Sequence, residues 1–149
     1  MYNVLNHFPQ ATKLIQLGIR DYCESEWQCI CDSDRRVATY FEKEIKERQF
    51  EGETWAHISE EIIDQLPQKV YISYDIDGLD PKLCPHTGTP VPGGFELEQL
   101  NYLFKKILES GREIIGFDLS ETGVSKNGWD ENVGARVLFK LCNLMLSQN

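Results

Sequence analysis

The sequence predicts an α/β fold built on a mainly parallel sheet. Three observations carry that expectation. Short apolar runs alternate with longer amphipathic stretches along the whole chain. The amphipathic stretches reach roughly a dozen residues or more, enough to cross back over a sheet between parallel strands. Two of the apolar runs also lead into acidic residues, the pattern of strands whose carboxyl ends border a ligand site.

Leu14-Ile15-Gln16-Leu17-Gly18-Ile19 reads as a buried strand ended by Arg20-Asp21. Tyr22 to Asp34 is polar, carries three cysteines and reads as a loop with room for a helical turn. Val37 to Phe41 reads as a second strand and Glu42 to Gln49 as a charged helix. Trp55, Ile58, Ile62 and Leu66 recur every three or four residues, one face of a helix that Pro67 ends. Val70-Tyr71-Ile72-Ser73-Tyr74 is rich in β-branched and aromatic residues and runs straight into Asp75-Ile76-Asp77-Gly78. Residues 78 to 94 hold four of the six prolines and four glycines, which predicts a rigid irregular loop, a usual home of function. Leu97, Leu100, Leu103, Phe104, Ile107 and Leu108 form a second helical stripe closed by Gly111. Ile114 to Phe117 is a strand leading into Asp118-Leu119-Ser120-Glu121. Asp130 is placed to cap a last helix that buries Val133, Val137, Leu138, Leu141 and Leu144.

The length of 149 residues suits one domain, and 41% apolar with 26% charged residues is a globular composition. A net charge of −9 argues against a nucleic-acid partner, whose phosphates demand the opposite field. It suits carboxylates that hold a cation. No apolar run approaches the roughly 20 residues that span a bilayer. Met1-Tyr2-Asn3-Val4 has neither the basic segment nor the apolar core of a signal peptide. Cys23, Cys29, Cys31, Cys84 and Cys142 are odd in number, and Cys29-Ile30-Cys31 is neither a redox C-x-x-C nor half of a zinc ribbon, the usage of reduced thiols in a cytoplasmic protein.

Asp75 and Asp77 are two residues apart, so an extended segment points both carboxylates to one face. Two converging carboxylates repel unless a cation lies between them, and Mg²⁺ or Mn²⁺ takes such oxygen ligands. The plain alternative is a pair of acids that start a turn. Glu121 follows the next strand at the same sheet edge, where it could pair with a cationic substrate or sit in solvent as a loop acid. Asp118 suits a cap on neighbouring amides. His7 and His57 read as surface residues. His86, in the loop after the aspartates, is a weak candidate for acid–base work because no neighbour supports it. No nucleophile elbow, phosphate loop or dinucleotide fingerprint occurs.

Taken whole, the loop reads Ser73-Tyr74-Asp75-Ile76-Asp77-Gly78-Leu79-Asp80-Pro81, then Thr87-Gly88-Thr89-Pro90-Val91-Pro92-Gly93-Gly94. This resembles the signature of the ureohydrolase family of arginases, agmatinases, guanidinobutyrases and formimidoylglutamases. That signature runs S-x-D-x-D-x-x-D-P, a short gap, T-G-T-P and G-G. Gln16-Leu17-Gly18-Ile19-Arg20 upstream and Gly116-Phe117-Asp118-Leu119-Ser120-Glu121 downstream agree with it, so the likeness covers nearly the whole chain. The resemblance implies a three-layer α/β/α sandwich. It also implies two Mn²⁺ ions bridged by a hydroxide that attacks a guanidinium or amidine carbon. Asp75 and Asp77 match metal ligands, Asp75 the one shared by both ions, and Glu121 matches the residue that pairs with the cationic small-molecule substrate. Two metals acidify a shared water enough to supply hydroxide near neutral pH.

The family's other ligands come from an upstream G-G-x-H stretch and a D-x-H-x-D run, with a further active-site histidine just beyond; none of these is in this sequence. The position of His86 is glycine or alanine in the family pattern. The resemblance therefore implies the C-terminal half of a domain of about 300 residues. Such a chain is expected to be inactive alone and to self-associate or pack against the N-terminal half, because half the fold exposes a sheet edge and apolar faces. A non-catalytic half-domain with a scaffold or assembly role is the alternative. A haloacid-dehalogenase-like phosphatase shares D-x-D-G, but Leu79 stands where that motif has threonine. An EF-hand fails because Leu79 replaces an oxygen ligand.

Overall fold

The structure, a computed structural model, describes residues 2–148. β1 (Leu14–Ile19) pairs in parallel with β2 (Val37–Phe41), and α2 (Glu24–Cys31) lies between them in sequence. β3 (Lys69–Asp75) pairs in parallel with β4 (Glu113–Ser120), with α5 (Leu97–Glu109) in the connection. α1 (Tyr2–His7), α3 (Glu42–Phe50), α4 (Trp55–Asp64) and α6 (Trp129–Leu146) complete the element order. All the strand pairing is therefore parallel, as predicted, but it forms two two-stranded ladders with no ladder bonds between them.

Side-chain alternation decides which face of β3 is covered. Val70, Ile72 and Tyr74 are buried, whereas Lys69, Tyr71, Ser73 and Asp75 are exposed. The covered face meets Ile58 and Ile62 of α4, Leu103, Phe104 and Ile107 of α5, and Val137 and Leu141 of α6 in one core cluster. α4 and α5 show why these segments are helices: each carries a strong apolar stripe, and Thr54 caps α4 by accepting from the His57 amide at 3.2 Å. Parallel sheets are usually covered on both faces. Here the other face of the β3–β4 ladder is open, with Tyr71 56% and Ile115 51% exposed.

Two close contacts join the ladders. Gly18 has φ +74°, and a Cβ there would lie 2.5 Å from Cε2 of the buried Phe95. Only glycine allows that backbone geometry and that approach together. Arg20, at the end of β1, donates through Nη2 to the main-chain carbonyl of Asp77.

Several elements depart from the sequence reading. The polar stretch after Tyr22 contains a two-turn helix rather than a loop. Cys23 is its N-cap residue, and the Glu26 carboxylate reaches back to the Cys23 amide at 2.8 Å, a local bond that starts the helix. β4 extends through Ser120, which places Asp118 inside the strand, where it accepts from the Ser73 hydroxyl at 3.1 Å instead of capping amides. Gly128, not Asp130, caps α6; Asp130 lies in its first turn. Leu138 is 44% exposed on α6, so the buried stripe of that helix is narrower than the apolar pattern suggests.

Candidate functional site

The carboxyl end of β3 passes directly into a single 3₁₀ turn, Ile76–Gly78. Asp75 makes that turn: its Oδ1 accepts from the Asp77 amide at 3.1 Å, the local bond that short acidic side chains form at turns. Asp77 is thus carried on the turn rather than on an extended strand, which corrects the simple alternation argument. Its carboxylate accepts from the Thr89 hydroxyl at 3.4 Å, and its carbonyl is held by Arg20.

Glu121 follows the end of β4 in a left-handed conformation, φ +60°, unusual for a residue with a side chain. Its carbonyl accepts from the Thr87 hydroxyl at 2.9 Å. A Cβ on Gly88 would stand 2.9 Å from Glu121 Oε2, so the glycine of T-G-T-P leaves the space that this carboxylate uses. The T-G-T-P segment therefore bridges the two strand ends, with Thr87 and Gly88 against Glu121 and Thr89 against Asp77. Burial pushes the Asp75 carboxyl above its ordinary range. The charges of Asp77 and Glu121 add to the rise, against the bond from the Asp77 amide. An added cation would relieve that repulsion.

These acids are hard oxygen donors suited to Mn²⁺ or Mg²⁺. Among the described residues no group of three or more His, Cys, Asp or Glu side chains is arranged to hold a metal ion. Asp75 and Asp77 fit a Mn²⁺ centre as two of its ligands and cannot form it alone.

His86 is held by Asp130. Its main-chain amide donates to Asp130 Oδ2 at 2.8 Å, and its Nδ1 lies 2.9 Å from Asp130 Oδ1. The Asp130 side chain has no exposed surface. Burial works to raise its pKa, but the bonds from the His86 ring and amide outweigh that and hold the carboxyl below its ordinary value. Sequence reasoning missed this anchor because the partners are 44 residues apart. It also missed Arg20 and the two threonines as supports of the site, although all three lie within the motifs quoted above.

The arginase family profile matches residues 1–142. An N(1)-aminopropylagmatine ureohydrolase of Thermus thermophilus is 42% identical over 69 residues, covering 46% of this chain and 22% of that protein. The enzyme of the same name from Synechocystis is 31% identical over 124 residues, covering 78% of this chain and 37% of that one. Among solved structures, the proclavaminate amidino hydrolase of Streptomyces clavuligerus superposes with a TM-score of 0.73 at 22% identity. That superposition covers 93% of this chain and 44% of that one, a likeness of fold. The chain belongs to the arginase family, whose matched members are ureohydrolases and amidino hydrolases. It spans less than half the length of these relatives.

Proposed function

We propose that this chain is the C-terminal half of a Mn²⁺-dependent, cytoplasmic hydrolase that cleaves a linear guanidino compound of the arginine or agmatine type and releases urea. One observation carries the reading: Asp75, Asp77 and Glu121 gather at the carboxyl ends of β3 and β4 under one bridging T-G-T-P segment. Asp75 and Asp77 are assigned as metal ligands and Glu121 as the carboxylate that pairs with the substrate guanidinium. When bound, Mn²⁺ would acidify a water so that it supplies hydroxide near neutral pH. The chain's own residues hold this arrangement. Asp75 fixes the turn, Arg20 and Thr89 fix Asp77, and Thr87 fixes the backbone of Glu121 while Gly88 leaves its carboxylate accessible. A guanidinium placed between acids is oriented by paired hydrogen bonds and loses little of its charge stabilisation on leaving water.

The substrates named for the relatives, aminopropylagmatine among them, support a cationic guanidino substrate. All five cysteines are free thiols, three of them on or beside α2 and exposed, which supports a reducing compartment. No described helix is long and apolar enough to cross a membrane. The incomplete ligand set favours a second reading, a non-catalytic half-domain with an assembly role. In either reading the chain associates, with copies of itself or with an N-terminal half.

The test is a Mn²⁺ titration of the pure chain, then of the chain joined to an upstream segment carrying the missing histidine and aspartate motifs. Near-zero tight binding alone, two ions per chain when joined, and loss of both binding and urea release in Asp77→Asn are expected. Urea release from the chain alone would refute the assignment of ligands. A joined protein that binds no Mn²⁺ would leave the assembly reading.

A further inference from the structure

Asn127-Gly128 is the one Asn-Gly pair in the sequence. It stands at the entrance to α6, on the strap that joins Glu121 to that helix. The strap is tied at both ends. A Cβ on Gly123 would collide with the His86 carbonyl, so the chain there presses on the residues that open T-G-T-P. Further on, the Ser125 amide and hydroxyl donate to the Glu131 carboxylate at 3.0 and 2.8 Å, and the Gly128 amide donates to the Ser125 carbonyl at 3.3 Å. These bonds close residues 125–131 into one turn that leaves Asn127 and Gly128 exposed.

Within that turn the Asn127 side chain is folded back along its own backbone, and its Oδ1 accepts from the Trp129 amide at 3.1 Å. That bond has two chemical consequences. It keeps the side-chain carbonyl carbon on the side of the Gly128 peptide nitrogen, the atom that can attack it. It also aims Oδ1 at the first amide of α6, so negative charge built on that oxygen meets a backbone donor and the positive end of the helix. Gly128 adds a third element. It has no side chain to shield its nitrogen, a Cβ there would meet nothing within 4 Å, and its φ of +70° suits glycine. The bond from the Gly128 amide to Ser125 opposes attack, but it is the longest of the turn. The other asparagines among the described residues, Asn3, Asn6, Asn101, Asn132 and Asn143, lie inside helices and precede residues with side chains. Helical ψ holds the side-chain carbon away from the next nitrogen.

We propose that Asn127 is a site of intramolecular deamidation, a covalent modification whose only co-reactant is water. The Gly128 nitrogen gives up its proton to hydroxide and bonds to Asn127 Cγ. The Cγ–Nδ2 bond breaks, ammonia leaves with a proton from water, and a cyclic imide remains. Water then opens the imide at either carbonyl, leaving aspartate or isoaspartate at this position, with no change of oxidation state. The two products act oppositely on the strap. Aspartate keeps an oxygen for the Trp129 amide and adds negative charge at the N-terminus of α6, where it is favoured. Isoaspartate routes the main chain through the side-chain methylene. The Trp129 amide then loses its partner, and the turn that carries Asp130 to His86 is lengthened. None of this depends on the catalytic reading.

The experiment incubates the pure full chain in mildly alkaline buffer beside a free peptide of residues 125–130, and follows both by mass spectrometry of digested samples. Conversion at Asn127 ahead of every other asparagine is expected, at a rate within about tenfold of the free peptide's or faster. Asn127→Gln should abolish it, and Gly128→Ala should slow it several-fold; the first carries the test if the second disturbs the cap. The isoaspartyl form, separated by chromatography, should melt below the unmodified chain, whereas Asn127→Asp should melt no lower. Earlier conversion at another asparagine, a rate in the folded chain more than about tenfold below the peptide's, or an isoaspartyl form as stable as the unmodified chain would overturn the proposal.

Discussion

Removing the Asp130 carboxylate tests the loop anchor most directly. In Asp130→Ala two bonds disappear, the 2.8 Å bond from the His86 amide and the 2.9 Å bond from its ring. A bond to a charged acceptor is worth about 1.5 kcal/mol or more, and a partly exposed one less. The His86 side chain is 51% exposed, so its ring bond carries about half that weight. The desolvation cost of the carboxylate also vanishes with the group, which trims the loss. The sum is roughly 2 kcal/mol for Asp130→Ala and about 1 kcal/mol for His86→Ala, whose backbone bond survives. In a domain of this size 2 kcal/mol lowers the melting temperature by about 4–8 °C. Urea unfolding followed by circular dichroism reads both variants. A pH series adds a sign. The Asp130 carboxyl is held below its ordinary value, so its contribution is complete above the unfolded value of about 4 and is lost as pH falls through the lower folded one. The stability gap between wild type and Asp130→Asn should thus be flat from about pH 7 to about 4.5 and close below about 4. A cost for Asp130→Ala under about 0.5 kcal/mol, or a gap that widens in acid, would refute the anchor.

Gly18→Ala should cost at least about 2 kcal/mol, because it combines a left-handed backbone with a clash against the Phe95 ring, which is 1% exposed and has nowhere to turn; thermal melts check it. Cys84 is buried, donates to the Ile76 carbonyl at 3.1 Å, and burial pushes its thiol up to about 11. A thiol reagent at about pH 8 should therefore label Cys23, Cys29, Cys31 and Cys142 quickly and Cys84 only on unfolding. Fast labelling of all five would show that the loop over Cys84 opens freely.

What the sequence made legible follows the range of each signal. β1 and β2 begin and end where the apolar runs do, because an apolar run bounded by polar residues is a local property. The α5 stripe and its Gly111 terminus are local as well; Gly111 has φ +80° and donates to the Leu108 carbonyl at 2.9 Å. The strand-end acids were legible for the same reason, with T-G-T-P supplying the context. The misses are tertiary or depend on unusual local chemistry. The helix after Tyr22 starts at a cysteine, a residue outside the usual capping set. Asp130 looks like a cap because acids often cap helices. Only the fold reveals that its carboxylate is committed to a loop 44 residues away. The separation of the ladders was equally hidden, since nothing local distinguishes a strand with two neighbours from a strand with one.

The open sheet face reaches the proposed Mn²⁺ ligand Asp75 at the carboxyl end of β3. Asp75 lies in the same alternating row of β3 as Tyr71 and Ser73, on the uncovered face. A partner packed over that row would lie close to Asp75 and bury it further, and if it carries the remaining ligands of the proposed Mn²⁺ centre it would bring them to the same end of the strand. Covering the face and completing a metal centre are thus coupled, and each should promote the other by mass action. Sedimentation of the pure chain at micromolar concentration should show self-association, because Tyr71 and Ile115 offer the largest exposed apolar side chains on this ladder. The pair Tyr71→Ser and Ile115→Lys should shift the chain toward monomer without lowering its melting temperature by more than a few degrees, since neither side chain is in the core cluster. If a Mn²⁺ titration shows any binding by the assembled chain, the same pair should weaken it although neither residue is one of the proposed ligands. Association unaffected by the pair would mean that copies meet elsewhere, and metal affinity unchanged in a monomeric variant would break the coupling.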